Sequence, residues 1–101
     1  MNNPVIEAVS YKLNANVSDA DFLKASKAFD AFVENCDGFI RRRLSKGEDG
    51  QWLDHLEWAS MEQVRKADKA FRSNQGLAPF IAMIDMDTMK MRHEQLMASK
   101  G

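Results

Sequence analysis

The chain has 101 residues, of which 45% are hydrophobic and 29% charged, and its formal net charge is -1. That suffices for one small domain, taken as residues 1–101, and lacks the basic excess a nucleic-acid surface needs. Cys36 is the single cysteine, so no internal disulfide can form, and no apolar run approaches the ~20 residues that cross a bilayer.

Pro4 to Leu13, "PVIEAVSYKL", is rich in Val, Ile and Tyr and predicts a first strand. It carries Glu7 and Lys12 and no small-residue cleavage site, so it does not resemble a signal peptide, and a cytoplasmic protein is the simplest expectation. Ser18 is suited to cap a helix, with Asp21 three residues on. Phe22, Ala25, Ser26, Phe29, Phe32 and Val33 then recur at helical spacing, and Gly38 is expected to stop that helix. "FIRRRLS", 39–45, predicts a second strand, in which alternation sends Arg41, Arg42 and Arg43 to opposite faces. Asp49-Gly50 signals a hairpin into a third strand, "QWLDHLEWA". Ser60 with Gln63 forms a second capping pattern, ahead of helically spaced Met61, Val64, Ala67, Ala70 and Phe71. Gly76 is expected to break this helix, and Pro79 to open a short further turn at its first position. Thr88 to Leu96 alternates well enough to predict a fourth strand.

The order is β-α-β-β-α-β. Strand–helix–strand connections are right-handed, which gives an α+β, ferredoxin-like, antiparallel four-stranded sheet with both helices on one face. Apolar residues fall on both parities of the central strands: Ile6 and Ala8 against Val5, Val9 and Tyr11, and Trp52, Leu56 and Trp58 against Leu53 and Ala59. A sheet covered on one side would alternate more cleanly. At ~25 cal/mol per Å2, covering about 600 Å2 more per subunit would be worth about 15 kcal/mol before association costs. A homodimer packed sheet to sheet is therefore expected.

The segment "EWASMEQVRKA", an acidic residue and an aromatic ending a strand before a Ser-capped helix, together with "FRSNQGLAPF", resembles the dimeric α+β barrel superfamily, close to the antibiotic-biosynthesis-monooxygenase-like proteins. The resemblance runs from about Val5 to Leu96. It implies a dimeric barrel and, among its known activities, cofactor-free oxidation of aromatic molecules, in which the substrate enolate itself activates oxygen. Haem-degrading members place an iron-ligating His on the second helix, where this chain has Ala67, and an Asn on the first strand, where it has Ser10. The expectation is accordingly of no cofactor and no metal centre.

His55 and Glu57 share a parity on the third strand, and a His oriented by a carboxylate suits a general base. The plainer reading makes them a polar pair at the subunit seam. His93 on the fourth strand could join Glu7 of the first, an arrangement short of the close ligand spacing a metal site shows. Tyr11, Trp52, Trp58 and the helix phenylalanines, Phe29 among them, could line a cavity for a flat apolar ligand or simply be core. An RNA-binding module of the same topology would need a glycine and a basic surface on the third strand. An acylphosphatase would need a Gly- and Arg-bearing loop where this chain has "KLNANVSDA". Two readings remain: a monooxygenase-like enzyme acting on a small apolar or aromatic molecule, or a non-enzymatic small-molecule-binding or stress-response dimer of the same shape.

Overall fold

A computed structural model describes residues 3–101. The elements run β1 (Val5–Leu13), α1 (Asp19–Glu34), β2 (Phe39–Lys46), β3 (Trp52–Trp58), α2 (Met61–Arg72), a 3-10 turn (Gln75–Leu77), α3 (Ala78–Ala82) and β4 (Ile84–Gln95). Local chemistry sets the boundaries. Ser18 Oγ accepts from the Asp21 N–H at 3.1 Å and Ser60 Oγ from the Gln63 N–H at 3.4 Å, each satisfying an orphan donor of a first turn. The Gln63 side chain does not complete a reciprocal box, and its Oε1 is buried without a partner. Gly38, at φ +81, makes the left-handed turn into β2, where an added Cβ would meet the Gln63 side chain at 2.5 Å. Both main helices end before the glycines expected to stop them, at Asn35 and Ser73. Pro79 is the second residue of α3, not the first.

The four strands form one antiparallel sheet in the order β2-β3-β1-β4. This is the ferredoxin-like arrangement expected from the element order. β4 begins four residues earlier than the alternation beyond Thr88 suggests, because Ile84 and Asp85 pair with Leu13 and Lys12 across a register shift. Thr88 fills that irregularity: its Oγ1 accepts from the Lys12 N–H at 2.8 Å.

Register assigns side chains to faces, since residues directly opposite share one. On the helix-covered face, one row reads Phe39–Trp58–Val5–Gln95, the next Arg42–Leu56–Glu7–His93, the next Leu44–Asp54–Val9–Met91. On the other face the rows read Arg41–Glu57–Ile6–Glu94, Arg43–His55–Ala8–Arg92 and Ser45–Leu53–Ser10–Lys90. A bulge between Phe39 and Arg41 brings Phe39 to the helix face with Leu44, which strict alternation would separate, and leaves Ile40 exposed. The open face is therefore a short apolar centre of Ile6, Ala8 and Leu53 ringed by charge, not the broad apolar layer the sequence suggests.

The core under the helices is aromatic. Phe22 is fully buried against Tyr11, Trp52 and Phe80, while Trp58, Leu56, Val33 and Val64 form a second cluster. Phe29 belongs to both, stacked on Phe80 at 5.3 Å and set edge-on to Phe71. Among the described residues no helix is long and apolar enough to cross a membrane.

Candidate functional site

The two core clusters do not meet everywhere. Between them lies a cavity of about 120 Å3, lined by β1, β3 and β4 below and by α1, α2 and α3 above. Its walls are apolar: Phe29, Phe32 and Val33 from α1, Val64, Ala67 and Phe71 from α2, Phe80 and Ile81 from α3. Met86, Met89 and Met91 of the edge strand β4 form one lip, where Met86 and Met91 are 54% and 48% exposed. Flexible thioethers at a mouth allow it to adapt to what enters.

Besides Asp68 of α2 at the rim, the apolar lining is broken at two places, around Tyr11 and around Glu7, four residues apart on β1 and so about 13 Å along the strand. At one end Tyr11 donates to Asp54 Oδ2 at 3.3 Å. Arg42 grips the same carboxylate with both edges of its fork, Nε to Oδ1 at 2.9 Å and Nη2 to Oδ2 at 2.7 Å. Its Nη1 donates to Ser26 Oγ and to Asp30 Oδ1, both at 2.7 Å, and the guanidinium stacks 4.6 Å from the Phe29 ring centroid. Each side chain of the Arg42–Asp54 pair is only 5% exposed. Burial opposes the charge on Arg42, but the hydrogen bonds and charge of Asp54, then those of Asp30, outweigh it and its pKa rises. Burial, reinforced by the negative Asp54 and opposed by Arg42, pushes the Tyr11 phenol far above its ordinary value, so Tyr11 is a protonated donor and not a base.

At the other end Glu7 reaches across the sheet. Trp58 Nε1 donates to its Oε1 at 3.1 Å, and His93 Nε2 lies 3.1 Å from its Oε2. The Glu7 side chain is 12% exposed and lines the cavity; that of His93 is 31% exposed and lines a separate outer groove beside Ser60 and Met61. The pair thus connects the buried space to the surface.

Of the residues singled out in the sequence, Tyr11, Trp58, Phe29 and Glu7 line the cavity, and His93 touches it through Glu7. His55 and Glu57 do not. They lie on the open face, where Glu57 Oε1 stands 3.8 Å from Arg41 Nε and His55 Nδ1 is buried without a partner. The physical reason is parity: Trp52, Leu56 and Trp58 turn toward the helices, so the positions between them turn away. His55 is consequently not brought to Glu7 and His93, and among the described residues no three metal-ligating side chains converge. Asp54, which its sequence context did not single out, stands in the cavity wall, and Arg42 holds it from behind. Cys36 is a half-buried thiol whose Sγ donates to the Phe32 carbonyl at 3.4 Å, and burial, with Asp37 nearby, pushes its pKa up and away from reactivity.

No protein-family model matches the chain, and no curated protein does. Solved structures do. SnoaB of Streptomyces nogalater, a cofactor-independent oxygenase, superposes with a TM-score of 0.73 at 16% identity over 96% of each chain. A Bordetella bronchiseptica protein classed with the antibiotic-biosynthesis monooxygenases gives 0.78 at 13% identity, over 96% of this chain and 100% of that one. ActVA-Orf6 of Streptomyces coelicolor, a monooxygenase solved with nanaomycin D, gives 0.74 at 13% identity, over 97% and 91%. The chain shares the ferredoxin-like fold of these structures. At these identities the likeness extends to the backbone and its full length, and residue roles have to come from the cavity itself.

Proposed function

We propose that the chain is a cofactor-independent oxygenase that oxidises a small, electron-rich aromatic molecule in the cavity between sheet and helices. The observation that carries this is the Glu7–His93 pair, a carboxylate facing a largely apolar cavity and tied to a partly exposed imidazole. The named activities of SnoaB and ActVA-Orf6 support the same reading.

The chemistry follows from what each group can do. An enolisable ring carbon next to a carbonyl loses a proton to Glu7, and His93 passes that proton out to solvent. The enolate gives one electron to dioxygen, the two radicals combine into a peroxide anion at that carbon, and a proton returned from solvent through His93 and Glu7 makes it the hydroperoxide. Loss of water leaves a ketone, so that a CH2 group and O2 become a C=O group and H2O. Apolar walls exclude bulk water from the intermediate. Asp54 is unsuited to be the base, because Arg42 and Tyr11 already occupy three of its acceptor positions. Its role is to fix the floor on which the ring lies. The open face, with its apolar centre and the orphaned His55 Nδ1, is proposed as the seam of a sheet-to-sheet homodimer.

Oxygen uptake over anthrone-like, quinol and flavonoid-like compounds tests the reading. Glu7→Gln should lower the turnover of an accepted substrate about 100-fold or more, while His55→Ala should leave most of it. The reverse pattern would return the base to the open face. Saturable binding without any oxygen uptake would favour a non-enzymatic binding protein.

A further inference from the structure

Resting on the cavity as the ligand site, we infer that it selects a neutral one-ring ligand carrying its own O–H or N–H donor, read by Glu7, and rejects carboxylated analogues of the same size. The side-chain donors in the cavity wall are the Tyr11 hydroxyl and the Trp58 indole N–H, and both are committed internally, to Asp54 and to Glu7. The remaining polar side chains in the wall are carboxylates, Glu7, Asp54 and Asp68; among the described residues no lysine, arginine or histidine lines it. A carboxylate offers about four acceptor positions. Asp54 has three in use, whereas Glu7 has two. Asp68 has one in use, but it stands at the solvent-exposed rim. Glu7 is thus the open acceptor inside the cavity, and a ligand with only acceptors would bury them unpaired.

Charge acts in the same direction. Arg42 is consumed by Asp54 and Asp30, and Asp68 at the rim is paired with Arg72 at 2.8 Å on the solvent side. A carboxylate entering the cavity would face Glu7 in a low-dielectric enclosure without a cation to answer it. Size sets the third limit. The space of about 120 Å3 is smaller than the ~150 Å3 apolar cavity that accommodates benzene, so at most one ring is held inside and anything larger must project past the methionine lip.

Calorimetric titration of the intact chain with hydroquinone and with 4-hydroxybenzoate, under nitrogen at pH 7, tests this. Hydroquinone should bind at one per chain and 4-hydroxybenzoate at least ten-fold more weakly. Glu7→Gln should weaken hydroquinone about ten-fold and narrow the gap, since the amide loses the charge and can itself donate. Asp68→Asn, at the exposed rim and harmless to the core, should narrow the gap by strengthening 4-hydroxybenzoate alone. Equal binding of the two probes, no binding of hydroquinone, or a gap unmoved in both variants would overturn the inference. The titration is anaerobic, so its outcome is separable from the oxidation: selective hydroquinone binding, together with no oxygen uptake from any compound of the aerobic screen, would remove the oxygenase reading and leave the selectivity standing.

Discussion

The two faces of the sheet use the same residue types in opposite ways. On the helix face an Asp and an Arg stand among aromatics, their side chains almost wholly buried and bound to each other. On the open face Arg41, Arg43, Glu57, Lys90, Arg92 and Glu94 surround a small apolar centre. Charge near water costs little and contributes little. Charge in the core is tolerated only when every acceptor and donor is answered, which makes the buried pair a rigid fixture and the open face a tolerant one.

The largest expected effect comes from breaking the fixture. Arg42→Met keeps the length and removes the charge, leaving Asp54 buried with only Tyr11 for a partner. Urea unfolding should show a loss of about 3–5 kcal/mol. Adding Asp54→Leu to Arg42→Met should recover much of that loss, because an intact buried pair roughly balances its own desolvation. A single variant as stable as wild type would mean that water already reaches Asp54, and the two faces would then not differ in the way described.

That pair also marks what could be read from the chain and what could not. Parity along "QWLDHLEWA" separates Trp52, Asp54, Leu56 and Trp58 from Leu53, His55 and Glu57 correctly. It does not say which set faces the helices, and a histidine beside a carboxylate drew notice to the outward set. The missed signal was an out-of-phase charge: Asp54 among the apolar positions of one strand and Arg42 beside Leu44 on its neighbour. Two opposite charges, each breaking its own strand's pattern on adjacent strands, are expected to break it together. Helix caps were legible because a Ser followed three residues on by a polar side chain is a local pattern. The bulge at Phe39–Arg41 and the early start of β4 were not, since both are settled by register with a neighbouring strand.

A smaller effect separates the hydroxyl of Tyr11 from its ring. Tyr11→Phe should cost about 1 kcal/mol at neutral pH, the worth of one hydrogen bond. Its sharper signature is alkaline. The folded-state pKa of Tyr11 is raised by burial and by Asp54, so the folded chain keeps a proton that the unfolded chain releases above about pH 10. Stability from this group is whole below that pH and is lost as pH rises above it, at up to about 1.4 kcal/mol per pH unit. Urea midpoints measured between pH 8 and 11 should fall less steeply for Tyr11→Phe than for wild type. Parallel slopes would show that Tyr11 ionises as freely in the folded chain as in the unfolded one.

The smallest effect on folding should come from the open face, and there the consequence is assembly. Leu53 is 39% exposed and sits between Ser45 and Ser10 in its row. In a lone subunit Leu53→Glu should change stability by no more than about 0.5 kcal/mol, the usual range for a surface site. In a two-fold sheet-to-sheet dimer the same change places like charges near each other across a self-complementary seam, and the row beside it already brings Arg43 and Arg92 to that surface. Sedimentation should therefore find wild type as a dimer at micromolar concentration and Leu53→Glu as a folded monomer with its near-ultraviolet aromatic signal intact, because Trp52, Trp58 and Phe22 all lie on the other side of the sheet. A wild-type monomer would leave the open face as a solvated surface and assign the whole function to the cavity of one chain. A variant that both dissociates and loses its aromatic signal would show that the helix face depends on the seam, so that the contrast between the faces holds only within the assembled pair.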